Sequence, residues 1–352
     1  MFTTWKKWWP TPLVGITGAI LAQLANWPLP WIIGSMLAVI LVRWAGWLVI
    51  EVPHGRQTGQ WLIATSIGLH LTESMVMQIV GHFPLMLIAA FLTLLLALLG
   101  IGLMSRFGMD RTTAYLAFMP ANFSEMIQIG IRYRANVGQI AAAHSVRMVV
   151  IILTVPAAMF YMADVSPNAV QAHLPTDWHW LVPMLAAGVV AARAWKRIGW
   201  ANPWMFGPLT LCGLITASFD LHMALPAEIS HFAQLMIGCS LGSFIDRGFF
   251  REAPLYLLKV LIFTLSMIAG TFLFAWVFGA ISDFAQPTVA LGMMPGSSTE
   301  MYLTAEALHL GAGMVTAMQI MRLVVVMACA EPILKLWLKS DSTRYPGRED
   351  ES

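Results

Sequence analysis

The chain has 352 residues, of which 58% are hydrophobic and only 11% are charged, and its formal net charge is +2. A soluble domain carries roughly 25% charged residues, so the composition and the mean hydropathy of +0.72 exclude a surface that faces water on every side. The polar stretches are too short for a DNA-reading module, which needs several packed helices or strands, and we expect no nucleic-acid partner.

Apolar stretches of membrane-spanning length recur from one end of the chain to the other. Because about 20 apolar residues cross the ~30 Å hydrocarbon core as a helix, they predict an all-α polytopic membrane protein. The ten predicted helices cover about 12–26, 29–50, 58–79, 83–104, 136–162, 180–195, 201–219, 230–246, 258–280 and 313–338.

The sequence is internally duplicated. Three blocks of the first half recur in the second half in the same order, at offsets of 173, 174 and 175 residues. This regularity predicts two repeats, 1–163 and 164–339, followed by a cytoplasmic tail at 340–352. The paired blocks are Pro30–Met36 with Pro203–Leu209, Gln60–Gly68 with Gln234–Gly242, and Met119–Met126 with Met294–Met301.

Lys and Arg indicate how the chain threads the membrane, because cytoplasmic loops collect them. If the segments 112–131 and 286–309 each dip into the membrane and return, all 18 basic residues other than Arg147 and Arg322 fall on one side. Each half then has five spans and one re-entrant segment, and the odd number of spans inverts the second repeat. Such inverted repeats with broken segments are typical of secondary transporters. We therefore expect a multi-pass membrane protein with both termini in the cytoplasm.

Each re-entrant segment contains a proline, Pro120 or Pro295, which cannot continue a helix because it lacks the amide proton and clashes with the preceding turn. The residues that follow can start a new half-helix, whose free amides carry partial positive charge and can hold an anion or a carbonyl group. Irregular backbone at membrane depth is tolerated only where protein or a water-filled cavity satisfies it. The two breaks therefore predict a solute site.

Four side chains at these half-helix starts have the spacing of a capping box, Asn122 with Glu125 and Ser297 with Glu300. In one interpretation the glutamates only cap the half-helices. In the other they also face a cavity, where they bind a cation or carry a proton. The symmetric positions of the two glutamates favour the functional interpretation.

Two arginines, Arg147 and Arg322, lie about ten residues into valine-rich helices, on the order of 15 Å deep. An arginine at that depth costs at least ~2.5–3.5 kcal/mol on insertion scales, so it needs a partner or water. Pairing with a glutamate of the re-entrant segments would neutralise both charges. The alternative is a counter-charge for an anionic solute that is released and re-paired during transport.

The predicted substrate-binding residues follow from these patterns. No catalytic residue, metal ligand or cofactor is predicted, because the histidines are scattered and a copper or zinc centre needs converging ligands. The glycines at 15, 18, 34 and 68 predict close helix contacts. The candidate site residues are Asn122, Ser124, Glu125, Arg147, Ser297, Ser298, Thr299, Glu300 and Arg322, with Pro120 and Pro295 as the helix breaks.

The motif P-W-x-x-G-[SP]-[ML] early in each repeat and M-P-x-x-x-[ST]-E-M late in each repeat resemble those of the bacterial AbrB-like membrane proteins, which also carry the label of ammonia monooxygenases. The resemblance covers nearly the whole chain. It implies an inner-membrane protein, distinct from the small soluble AbrB-type DNA-binding regulators, and some members of the family are described as regulating gene expression.

We therefore predict a secondary transporter, not an enzyme, that moves a small polar or anionic solute by alternating access. The alternative is a membrane-embedded sensor or regulator that influences gene expression through a partner, and a metal-dependent oxygenase comes third. The expected partners are the lipid bilayer and a small-molecule or ion substrate, and a homodimer is compatible with the sequence.

Overall fold

The computed structural model describes residues 8–47, 49–105, 109–162, 175–200, 202–245, 254–280 and 284–342. Within these ranges every regular element is an α-helix, which confirms the prediction of an all-α polytopic protein. The helices are α1 (Pro10–Leu24), α2 (Pro30–Trp44), α3 (Gly55–Leu69), α4 (Glu73–Gly81), α5 (Phe83–Ser105), α6 (Arg111–Phe118), α7 (Phe123–Arg132), α8 (Val137–Met162), α9 (Trp178–Ile198), α10 (Pro203–Phe219), α11 (Ala227–Ser243), α12 (Pro254–Gly279), α13 (Gln286–Met293), α14 (Ser298–Ala307) and α15 (Ala312–Ser342).

Four helices, α5, α8, α12 and α15, are long and apolar enough to cross a bilayer. Residues such as Ile88, Phe91 and Leu95 on α5 expose about half of their surface, as expected of a helix that is apolar all round and contacts lipid. The apolar helices α1, α2 and α10 are shorter, so they rise only about 22–26 Å. The protein is therefore embedded in the membrane and combines helices of two lengths.

Two predicted spans end earlier than expected. The stretch 29–50 is helical only as far as Trp44, and Gly46 follows with a φ of +91°, a left-handed conformation that glycine adopts without strain at the end of a helix. The predicted span 58–79 is two helices, α3 and α4. The hydroxyl oxygen of Thr72 accepts a hydrogen bond from the amide of Met75 at 3.4 Å, and this cap starts α4 as a separate helix.

The helices form two bundles that each draw on both repeats. The short-helix bundle consists of α1, α2 and α3 from the first repeat with α9, α10 and α11 from the second. The long-helix bundle consists of α5 to α8 from the first repeat with α12 to α15 from the second. The helices α3, α14 and α15 join the two bundles, and α4 packs between them.

The contacts between helices repeat with the two halves exchanged. In the short-helix bundle α2 packs on α11 just as its counterpart α10 packs on α3, and in the long-helix bundle α5 packs on α15 just as α12 packs on α8. Such an exchange of partners is what a two-fold axis between two copies of one unit produces. The sequence duplication is thus a duplication of structure.

Each broken segment is a re-entrant hairpin, as predicted. The amide of Asn136, which follows α7, donates to the hydroxyl of Thr113 in the first turn of α6 at 3.0 Å, so the chain enters and leaves at the same place. In the second repeat, a methyl group on Gly311 would lie 3.6 Å from the methyl carbon of Thr288 in α13. Half-helices of 8 to 10 residues rise only about 12–15 Å, which is too short to cross a bilayer.

The two hairpins enter from opposite ends of the molecule. The guanidinium of Arg132 at the end of α7 lies 3.1 Å from the carboxylate of Glu331 on α15, which places the first hairpin's ends at one end of α15. Near the other end of α15, Gly313 packs against Met75, on the side where the ring of His82 lies 4.4 Å from that of Phe284, just before the second hairpin. Gly313 and Glu331 are 18 residues apart on α15, so the ends of the two hairpins are separated by about 27 Å along this helix. The hairpins therefore enter from opposite sides, and the second repeat is inverted relative to the first.

Opposite entry can be tested by labelling single cysteines at Arg132 and His309, which end the two hairpins, in a chain whose native Cys212, Cys239 and Cys329 are replaced by serine. A membrane-impermeant thiol reagent should label Arg132→Cys from one side of the membrane and His309→Cys from the other. Labelling of both positions from the same side would contradict the inverted arrangement.

Glycines bring α1 and α2 into close contact, as the sequence predicts. A methyl group added to Gly34 would collide with the carbonyl oxygen of Gly18 and would lie 2.7 Å from the methyl carbon of Ala22. The glycines at 15 and 68 likewise pack against the neighbouring Cys239 and Cys212. Small residues at helix crossings in membranes serve this purpose because they let backbones approach.

Gly34→Ala should therefore destabilise the protein by about 1–3 kcal/mol, the usual cost of overpacking a close contact. Gly102→Ala is the matched control, because a methyl group on Gly102 would meet nothing within 4 Å and alanine is the better helix former by ~1 kcal/mol. Thermal unfolding in one detergent measures both, and equal melting temperatures for the two variants would contradict the packing.

Candidate functional site

A cavity of about 60 Å³ lies where the tips of the two hairpins meet, and we call it the tip cavity. A polar space of that size holds several water molecules or a small solute. The hairpin tips and the long helices that follow them supply one wall, and α3 and α10 supply the other. Its lining residues are Arg56, Gln60, Pro120, Ala121, Asn122, Phe123, Arg147, Met148, Asn202, Met205, Pro295, Gly296, Ser297, Ser298, Arg322 and Leu323.

The hairpin tips have the same backbone in both repeats. Met119 and Met294 stand before the prolines with ψ values of 128° and 131°, because the proline ring disfavours the helical conformation of the preceding residue. The amides of Ala121 and Gly296 fold back onto the carbonyls of the same two methionines at 2.9 and 2.8 Å. Each proline therefore stands at a turn between two half-helices.

The half-helices α7 and α14 begin immediately after these turns. The amide of Met126 donates to the carbonyl of Asn122 at 3.1 Å, and the amide of Met301 donates to that of Ser297 at 3.2 Å, so these are the first helical hydrogen bonds. The side chain of Ser297 accepts no capping hydrogen bond from α14, unlike the predicted capping box. The first backbone amides of α14 therefore lie at the cavity and donate no hydrogen bond to the Ser297 hydroxyl.

In the first repeat, Arg147 binds the end of the preceding half-helix. It is 94% buried (6% exposed) and donates to the carbonyls of Phe118 and Met119 at 3.3 and 3.1 Å. Its other terminal nitrogen lies 2.9 Å from Nδ1 of His144, while Nε2 of that histidine lies 3.0 Å from the carbonyl oxygen of Leu116. Since a guanidinium and a carbonyl fix the two ring nitrogens as acceptor and donor respectively, His144 is held as the neutral Nε2–H tautomer.

The second repeat reproduces this arrangement with different side chains. Arg322, which is 3% exposed, donates to the carbonyls of Met294 and Gly296. Gln319, at the position of His144, donates to the carbonyls of Leu291 and Met294 at 2.6 and 3.0 Å. Each arginine therefore satisfies carbonyls left free at the end of a half-helix, where the helix dipole also favours a cation.

The expected ion pairs between these arginines and Glu125 or Glu300 are not formed in the described part of the chain. The carbonyl ends of α6 and α13 already provide buried acceptors within reach of each guanidinium, so no carboxylate is needed there. Both guanidinium groups keep their positive charge at the edge of the tip cavity.

The tip cavity has a positive electrostatic character. Arg56, Arg147 and Arg322 line it, and the amino ends of α7 and α14 open onto it. Helix amino ends bind anions because their free amides and the helix dipole point outward. Neither Asp nor Glu is among the described residues that line it. The arrangement is suited to an anion.

Of the predicted site residues, seven line the cavity, and the two glutamates do not. Glu300 is buried beneath the tip, and its Oε2 has no hydrogen-bond partner among the described residues. Thr299 is also buried, with its hydroxyl 3.9 Å from the sulfur of Met205, while Glu125 is half-buried. The side chain of Ser124 lies outside the described residues. The seven are Pro120, Asn122, Arg147, Pro295, Ser297, Ser298 and Arg322.

Nine lining residues were not predicted from the sequence, and four of these, Arg56, Gln60, Asn202 and Met205, form the wall supplied by the short-helix bundle. Asn202 precedes Pro203 with a φ of +47°, a left-handed conformation that asparagine tolerates better than most residues. Gln60, Asn202 and Met205 belong to or adjoin the duplicated blocks, which was an available signal. Arg56 has Ser230 at the matching position of the second repeat, so the duplication gives no indication of it.

No protein ligands for a metal ion converge within the ranges that the structure describes. No group of three or more His, Cys, Asp or Glu side chains is close enough there to hold one. The chemistry available at the tip cavity is that of guanidinium groups, backbone amides, hydroxyls and side-chain amides.

Removing Arg322 should cost stability, because it removes the guanidinium hydrogen bonds to the carbonyls of Met294 and Gly296, and a hydrogen bond to a charged group contributes about 1.5–3 kcal/mol. We expect Arg322→Ala to lower the melting temperature clearly and Arg193→Ala, at an exposed position of α9, to leave it unchanged. Thermal unfolding in detergent without added anion provides the comparison. A wild-type melting temperature for Arg322→Ala would contradict the structural role of the guanidinium.

Comparison with known proteins connects this architecture to a family. Residues 31–338 match the family described as "Transition state regulatory protein AbrB". A Bacillus subtilis (strain 168) protein described as "Uncharacterized protein YhjN" is 22% identical over 349 residues, covering 92% of this chain and 91% of its own length. The family match extends from α2 to α15 and includes all the residues that line the tip cavity.

Proposed function

We propose that this chain, which belongs to the family described as transition state regulatory protein AbrB, is a secondary transporter that moves a small anionic solute unchanged across the membrane. The observation that carries the proposal is the tip cavity, where two oppositely inserted broken helices meet against the short-helix bundle. Sites of this construction, at the junction of inverted repeats and at half-helix amino ends, are where secondary transporters bind their solutes.

The charge of the cavity supports an anion as the solute. Arg147 and Arg322 enter from the long-helix bundle, Arg56 enters from α3 of the short-helix bundle, and two helix amino ends face the same space. A planar guanidinium binds a carboxylate, phosphate or sulfate through two parallel hydrogen bonds. An anion would contact both bundles at once and would be released when they separate.

The inverted repeats supply a route to alternating access. On this proposal the solute enters beside Arg56 and Asn202, which line the cavity near the starts of α3 and α10. The two-fold relation pairs these positions with Ser230 and Leu29, near the starts of α11 and α2. If the repeats exchange conformations, the long-helix bundle slides past the short-helix bundle and carries the hairpin tips from one opening to the other.

We place the end of the molecule that carries Arg43, Arg132 and Lys335 in the cytoplasm. These residues lie at the ends of α2, α7 and α15, and cytoplasmic loops are enriched in Lys and Arg. Lys335 and Arg132 both reach Glu331, at 3.2 and 3.1 Å, so at least two of the three charges share one face. The bacterial plasma membrane is the corresponding location.

The test is binding and uptake of acetate, succinate, phosphate and sulfate by the purified full-length protein. A bound anion should raise the melting temperature, since ligand at one hundred times its Kd adds about 2.7 kcal/mol to stability. The same anion should enter proteoliposomes that contain the protein. Arg56→Ala should weaken both effects, because it removes one positive charge from the cavity without removing a carbonyl donor.

Arg193→Ala is the matched control and should bind and transport as the wild type does. If none of the four anions is bound or taken up, or if Arg56→Ala behaves like Arg193→Ala, an anion does not occupy the tip cavity and the proposal fails.

A second candidate function comes from the family description, which names a regulatory protein. In that case the tip cavity would sense an anion, and the sliding of the bundles would alter binding of a partner. An anion that stabilises the protein but never accumulates in proteoliposomes would favour the sensor over the transporter.

A further inference from the structure

A second polar cluster lies on the contact between α3 and α14, and we call it the tyrosine cluster. It consists of Ser66 on α3 and His70, which directly follows α3, with Tyr302 and Glu306 on α14. The hydroxyl of Tyr302 lies 2.9 Å from a carboxylate oxygen of Glu306, 3.0 Å from the hydroxyl of Ser66 and 3.2 Å from Nδ1 of His70. Tyr302 is fully buried, while His70 and Glu306 are partly exposed.

The partners fix the direction of the hydrogen bonds. Nδ1 of His70 also lies 2.8 Å from the carbonyl oxygen of Ser66, which can only accept, so Nδ1 carries a proton. The single Nδ1 proton of His70 is therefore shared between the Ser66 carbonyl, at 2.8 Å, and the hydroxyl of Tyr302, at 3.2 Å, and Tyr302 donates its own proton to Glu306. A continuous hydrogen-bonded path runs from the imidazole through the phenol to the carboxylate.

This path joins the two bundles. His70 and Ser66 belong to the short-helix bundle, and Tyr302 and Glu306 belong to the second hairpin. A hydrogen bond to an ionised carboxylate is roughly twice as strong as one between neutral groups, so the charge of Glu306 sets the strength of a contact that must break when the bundles slide.

The tyrosine cluster is absent from the matching place in the described first repeat. The residues at the positions of Tyr302, Glu306 and His70 are Ile127, Ile131 and Phe244. A hairpin of this fold therefore forms without these polar groups, and a purely structural role does not account for them.

We infer that Glu306 is a proton-binding site that controls the contact between the hairpin and the short-helix bundle, and, if the proposed transport is correct, that the proton is the coupling ion. Ionised Glu306 holds Tyr302 and, through it, α3. When Glu306 takes up a proton the contact weakens and the bundles are freer to slide.

Several other titratable groups lie around Glu306. His70 is the group that faces Glu306 from α3, and Tyr302 is the one on its own helix. Glu300 on α14 and Arg56 on α3 lie toward the tip cavity, and His309 follows the end of α14. From α13 and α15, no described side chain forms an ion pair or a hydrogen bond with Glu306.

Infrared difference spectroscopy on the full-length protein in liposomes tests the proton site without any solute. As the pH is lowered from about 9 to about 3, a range that includes the usual glutamate pKa of ~4.3, the wild type should gain a band from the protonated carboxyl of Glu306. Glu306→Gln should lose that band, and Tyr302→Phe should keep it at a shifted frequency. Glu228→Gln, at an exposed position of α11, should leave that band unchanged and remove only the band of a water-exposed carboxyl. A spectrum of Glu306→Gln identical to that of the wild type would overturn the inference, and Tyr302→Phe supplies a second reading if Glu306→Gln folds poorly.

A transport measurement separates this inference from the proposed function. It uses whichever of acetate, succinate, phosphate and sulfate the wild-type protein takes up in the uptake test. An imposed pH gradient should drive accumulation of that anion by the wild type, whereas Glu306→Gln should exchange the anion across the membrane but no longer accumulate it. Gradient-driven accumulation that persists in Glu306→Gln would overturn the coupling role while leaving the transporter standing. Absence of any anion exchange in the wild type would defeat the proposed function, and the infrared band would still decide on the proton site.

Discussion

Hydrocarbon offers no hydrogen bonds, and every backbone amide and carbonyl at membrane depth must find a partner within the protein. A helix that stops halfway through the membrane leaves several carbonyls exposed at its end. Arg147 and Arg322 supply the missing donors, and the buried charge of each arginine is in turn satisfied by those carbonyls. These hydrogen bonds offset the cost of ending a helix inside the membrane. As a consequence, two guanidinium groups line the tip cavity.

The same arrangement explains why the two repeats diverge at some positions and not at others. His144 and Gln319 have different chemistry but the same task, since each donates to a leucine carbonyl one turn before the break. On the face of α14 that packs against α3, where no backbone group needs a side-chain donor, the repeats differ. There the second repeat has acquired Tyr302 and Glu306 in place of Ile127 and Ile131.

The fold was largely predictable because the features that determine it most strongly are residue types that can be recognised in the sequence. The prolines, the constant offsets and the distribution of Lys and Arg predicted both hairpins and their inversion. The break between α3 and α4 was missed because hydropathy does not register the single cap at Thr72. The partners of the arginines could not be predicted, since a carbonyl oxygen belongs to every residue and leaves no mark in the sequence. Arg56 was missed because the duplicated pattern has Ser230 in its place.

The exchange of helices between the repeats also bears on how the chain is built. During synthesis, α2 and α3 enter the membrane long before α10 and α11, the helices against which they finally pack. The first hairpin has no such delay, because Arg147 finds its carbonyls within its own repeat. The contacts therefore fall into two groups. The arginine–carbonyl contacts of a broken segment need one repeat only, whereas the packing of α2 and α3 against α10 and α11 needs both repeats. A ribosome that stalls between the repeats would leave a half-protein in which Arg147 has its carbonyl partners, while Gly15 and Gly68 still lack Cys239 and Cys212 as packing partners.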